Sequence, residues 1–109
     1  MASHPYIRVV NVGVPSFLKL IPDLGSGEAS VIALALQESD CSVILDDKLA
    51  RQVATSQSVK LTGTLGVLLL AKEKRLIDKI EPIIGRLRMC GFFCDTSVEV
   101  RVLRLAGEA

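Results

Sequence analysis

Asp46 and Asp47 close an apolar run, residues 42–45, and Glu28 opens an earlier helix-forming stretch. These are the side chains whose type and spacing suit chemistry. In an open parallel sheet the carboxyl ends of the strands open onto one edge, where ligands bind. A helix that leads into a strand of that sheet begins on the same edge. Glu28, Asp46 and Asp47 are therefore expected to converge. Two carboxylates about 6 Å apart repel by roughly 3 kcal/mol at an effective dielectric near 20. A divalent cation relieves that cost, and hard cations such as Mg²⁺ or Mn²⁺ choose oxygen ligands. The plainer roles are a helix cap for Asp46, an i,i+4 pair between Asp47 and Arg51, and a dipole partner for Glu28.

Two glycine-bearing stretches carry weaker signals. Leu24-Gly25-Ser26-Gly27 holds two glycines of a dinucleotide fingerprint but lacks the third. Thr62-Gly63-Thr64-Leu65-Gly66 lacks the lysine of a P-loop, which argues against nucleoside triphosphate hydrolysis. The helix start at Thr64 still suits one phosphate of a larger substrate. Gly66 reads as a packing position, and His4, with no clustered acids, as incidental. Cys90 and Cys94 have no nearby His or second pair, so zinc is not expected.

The elements that must position these residues follow from pattern. Residues 6–14 are β-branched between Pro5 and Pro15 and read as a strand or extended arm. Residues 16–23 read as a connector. Ser26 is placed to cap a helix running to about Glu38, apolar nearly all round and so expected to be buried. Residues 42–45 read as a strand, 48–56 as a helix, 59–62 as a second strand and 65–74 as a helix. A further helix spans about 78–90, with Pro82 either beginning its regular part or kinking it, and Gly91 capping its end. Thr96 to Glu99 has capping-box form and opens a last helix to about Ala106. Strands alternating with helices imply an α/β fold, a parallel sheet with crossover helices.

Composition bounds the rest. The chain has 109 residues, half of them hydrophobic, with 13 basic and 12 acidic side chains. That suits one small domain with a real core, divided as an N-terminal arm over 1–23 and a main portion over 24–109. Charge is uneven: residues 20–47 hold six acids and no Lys or Arg, whereas residues 72–104 hold eight bases and five acids. A uniformly basic nucleic-acid sleeve is excluded, a local basic patch is not. One Tyr, three Phe and no Trp leave little for base stacking, and a single His leaves little for Ser-His or Cys-His catalysis. Three cysteines without even pairing indicate a reducing, cytoplasmic setting. The N-terminus has no signal-peptide form, and the longest aliphatic run is far short of a membrane span.

Three stretches together resemble a family. They are Leu24-Gly25-Ser26-Gly27-Glu28 with Ile32-Ala33-Leu34-Ala35, then residues 44–54 from Ile44-Leu45-Asp46-Asp47 to Val53-Ala54, then Thr62-Gly63-Thr64-Leu65-Gly66-Val67-Leu68 with Ala71-Lys72. Their order and spacing are similar to prokaryotic PIN-like proteins, relatives of the ribonucleases of toxin–antitoxin systems. Gly91-Phe92-Phe93 and Ala106-Gly107-Glu108 resemble that group's tail. The resemblance implies a Mg²⁺- or Mn²⁺-dependent ribonuclease, with Glu28, Asp46 and Asp47 as metal ligands and catalytic acids. Metals in such a site activate a water and stabilise the phosphate in the transition state. Lys48, Arg51, Lys72 and Thr64 are then placed to contact RNA. The resemblance also implies an earlier strand ending in Asp and helices bearing a further Glu, which this chain lacks; no acid precedes Asp23. The expectation is thus a PIN-like domain short of its first strand and first helices, weak or inactive alone. The alternative is a non-catalytic interaction or dimerisation module. Expected partners are RNA, an antitoxin-like protein and a second copy of the chain, with no membrane.

Overall fold

A computed structural model describes residues 5–109. The reading of His4 falls outside them. The chain divides into two compact units, Met1–Leu61 and Thr62–Ala109.

The first unit is built around a β-α-β crossover. A one-turn helix, α1 (Ser16–Lys19), leads to α2 (Ser26–Gln37), β1 (Ser42–Ile44), α3 (Lys48–Ser56) and β2 (Lys60–Thr62). The two strands pair as a small parallel sheet, as the alternating pattern requires. Helix α2 packs against α1, β1 and α3. Its buried residues are Ala29, Ile32 and Ala33. The all-round burial expected of α2 is not found: Val31 and Leu36 are exposed. A two-stranded sheet is too narrow to cover more than one stripe of the helix. The core joins these residues to Leu18, Val43, Leu45, Ala50, Val53 and Ala54. Leu18 is 1 % exposed, so the segment read as a connector carries a core anchor.

The arm before α1 forms no regular strand: residues 5–6 turn, Ile7 makes an isolated bridge and residues 8–15 belong to no regular element. Val12 and Val14 lean on the core of the first unit, whereas Tyr6, Ile7 and Val9 stand 89, 66 and 69 % exposed.

The second unit holds α4 (Thr64–Glu73), α5 (Glu81–Met89) and α6 (Thr96–Leu105), with α4 against α6. Its core is Leu65, Ile80, Ile84 and Val102, backed by Leu68, Leu69, Ile77 and Phe92. Pro82 lies in the first turn of α5, where its missing N–H costs nothing, so it begins the helix and does not kink it. Gly91 follows α5 at φ +94°, and the Phe92 amide donates back to the Leu87 carbonyl at 3.0 Å. That left-handed turn favours glycine and ends the helix where the sequence places its end. A Cβ on Gly66 would collide with Thr62 Oγ1, so the glycine in α4 serves close packing.

Caps differ from expectation at three helices. Gly25, not Ser26, precedes α2, and no side chain caps it. Asp47, not Asp46, caps α3. Asp95 caps α6, accepting from the Ser97 amide and hydroxyl, both at 3.0 Å. In each case the chain enters the helix one residue from the expected position. At α3 and α6 acceptors stand side by side and backbone geometry chooses between them, whereas at α2 the preceding glycine has no side chain to offer.

Candidate functional site

The acidic edge is made by the turn from β1 into α3. Leu45, 4 % exposed, plugs the core and fixes where the strand ends. Asp46 and Asp47 follow on the surface. Asp47 Oδ2 accepts from the Ala50 amide at 2.9 Å and satisfies one of the orphan donors at the helix start. Arg51 lies one turn on and does not stay with Asp47 as an i,i+4 pair alone would have it. Its Nη1 donates to the Leu45 carbonyl at 2.8 Å and ties the first turn of α3 to the strand end. Lys48 is exposed beside them.

Glu28 lies in the first turn of α2, at the end of that helix remote from the loop into β1. Its carboxyl group turns back over Gly25, where a Cβ would collide with Oε2. Helix α2 has 12 residues and spans about 18 Å, whereas the three residues of β1 span about 10 Å. Among the described residues, no group of three or more His, Cys, Asp or Glu side chains is placed to hold a metal ion. The expected convergence of Glu28, Asp46 and Asp47 is not formed, and these residues do not fit a fixed three-carboxylate cation site.

An open depression of about 740 Å³ lies along this edge, lined by Asp46, Lys48, Arg51, Gln52, Thr55, Ser56 and Leu61. Five of these residues form the outer face of α3, opposite its buried Ala50, Val53 and Ala54. Lys48 and Arg51 were expected on this edge; Gln52 was not, although its i+4 spacing from Lys48 puts it on the same face.

Thr64 and Lys72 belong to the second unit. Thr64 is the first residue of α4 and half-buried. Lys72 is half-buried and engaged within its own unit. Its Nζ donates to Glu108 Oε2 at 2.9 Å and to the Ala106 carbonyl at 2.5 Å. Glu108 also accepts from the Ile80 amide at 2.8 Å and the Glu81 amide at 3.0 Å. It thus caps α5 from the far end of the unit. The Ile80 amide, with Lys72 beside it, holds the Glu108 carboxyl down to about 2. The sequence carries no local sign of this contact, because 36 residues separate its two charges.

The cap makes Asp47 a test of local structure. Asp47→Ala should cost about 1 kcal/mol in urea unfolding, whereas Asp47→Asn, which keeps an acceptor, should cost a few tenths. Equal losses would show that the carboxylate charge, and not the hydrogen bond, holds the turn.

No curated protein and no solved structure matches the chain. A family does: DUF3368, a PIN domain, matches residues 1–108 and so takes in the arm as well as both units. PIN domains generally use divalent metal ions. No helix among the described residues is long and apolar enough to cross a membrane. With a match over nearly its whole length, the chain belongs to the PIN-domain family.

Proposed function

We propose that this chain is a nuclease-like PIN module that engages RNA at the edge between β1 and α3 and cleaves it weakly or not at all by itself. One observation carries the reading. Asp46 and Asp47 lead directly from the strand into a helix that presents Lys48 and Arg51 around an open depression. Acids beside cations suit a phosphodiester substrate: the cations hold phosphate, and the acids are those that resemblance to the family assigns to Mg²⁺ or Mn²⁺. Glu28 remains the family's third candidate ligand, but its carboxyl group sits on Gly25. A displacement near 1 Å can cost about a hundredfold in rate. Residues 1–22 hold no Asp or Glu.

The purified chain in millimolar Mn²⁺ should leave a mixed RNA pool at background cleavage, and Asp47→Asn should change nothing. Lys48→Ala should weaken RNA binding and reduce its salt dependence. Robust cleavage that Asp47→Asn abolishes would overturn the inactive reading; no binding at all would overturn the RNA reading.

A second reading, a non-catalytic interaction module for a second copy or an antitoxin-like protein, is favoured by the exposed apolar arm at Tyr6, Ile7 and Val9. It requires light scattering to show more than a monomer at micromolar concentration.

A further inference from the structure

We infer that the outer face of α3 is a nucleotide subsite, in which Gln52 reads the base of the unit whose phosphate Lys48 and Arg51 hold. This rests on the RNA reading above and assigns a specificity residue to that edge. Lys48, Gln52 and Thr55 stand at i, i+4 and i+7, with Arg51 on the flank, so they form one stripe opposite the buried stripe of α3. Lys48 and Gln52 are one turn apart, about 6 Å of rise. That offset matches the reach from the phosphate of a nucleotide to its base.

The polar groups of the stripe are not equivalent. Thr55 Oγ1 donates to the Arg51 carbonyl at 2.8 Å and Ser56 Oγ to the Val53 carbonyl at 2.6 Å. Both hydroxyls have spent their proton within the helix and offer only lone pairs. The Gln52 amide supplies both a donor and an acceptor, the pair needed to meet the edge of a base. Leu61 contributes an apolar surface at the side of the depression, against which a base can rest without stacking on an aromatic ring. The volume, about 740 Å³, falls in the range of small-ligand sites. With Asp46 negative and Lys48 and Arg51 positive, the lining charge favours one phosphate.

The test uses the full chain without divalent metal, titrated with each of the four nucleoside 5′-monophosphates and followed by amide chemical shifts. Shifts should concentrate on residues 46–56 and 61, and the four affinities should differ. Gln52→Ala should reduce the difference between best and worst nucleotide by about three- to tenfold. Lys48→Ala should weaken all four alike. Equal affinities in the wild type, or shifts centred outside that segment, would overturn the subsite. The cleavage assay stands apart from this one. RNA cleavage without nucleotide binding here would remove the subsite and leave the nuclease reading; nucleotide binding without cleavage would leave the subsite standing.

Discussion

Ile84→Ala should cost about 3 kcal/mol of stability, measured by denaturant unfolding, and Ile84→Val about 1 kcal/mol. Ile84 is 1 % exposed in α5 and packs in a core of only four fully committed side chains, Leu65, Ile80, Ile84 and Val102. A core so small has few neighbours to close around a lost side chain, so both the lost transfer energy and the cavity are felt. Met89 is the control. It lies on the same helix, 88 % exposed, and its replacement by Ala should change stability by less than about 0.5 kcal/mol. A loss below 1 kcal/mol for Ile84→Ala would show that the second unit is not tightly packed around α5.

Acid should dissolve the contact at Glu108 late, below the range in which an ordinary carboxylate takes up its proton. The Glu108 carboxyl titrates near 2 in the folded chain, held down by the Ile80 amide first and Lys72 next, against an ordinary value of 4.5. A carboxyl held low stabilises the fold most where it is charged in both states. Its contribution is therefore complete above about pH 4.5 and is lost as pH falls towards 2. Across that window, unfolding should take up close to one additional proton. Glu108→Gln should remove that proton uptake and flatten the acid limb of the unfolding midpoint, while Asp40→Asn, in an exposed loop, should leave it in place. An unchanged acid limb in Glu108→Gln would show that the carboxylate does not hold α5 to the tail. Lys72→Met should shift the same limb less, because the backbone amides remain.

Most of the element order was legible in the residues. Periodicity separated the helices read at 48–56 and 65–74 from the short strands read at 42–45 and 59–62, each within one residue of its observed bounds, and Gly91 marked the end of α5 because only a left-handed residue suits that turn. Pro82 left a start and a kink both open, and the structure decides for the start: α5 begins at Glu81 and not near Asp78, with the proline in its first turn. The family was legible too, since it rests on motif order along the chain, which folding does not alter. Caps were legible only to within one residue, because neighbouring acceptors such as Asp46 and Asp47 compete and local dihedrals decide between them.

Three facts needed the tertiary structure. The partner of Lys72 is Glu108, 36 residues on, a contact that no local pattern announces. Gln52 looked like surface until the outer face of α3 was seen to line a depression. Glu28 and the Asp46–Asp47 pair are expected on one sheet edge from element order, yet element order sets only which end of an element a residue occupies. Whether carboxylates meet depends on helix length against strand length and on where each side chain turns. Here Glu28 folds over Gly25, and among the described residues no three acids are placed together to hold a metal ion.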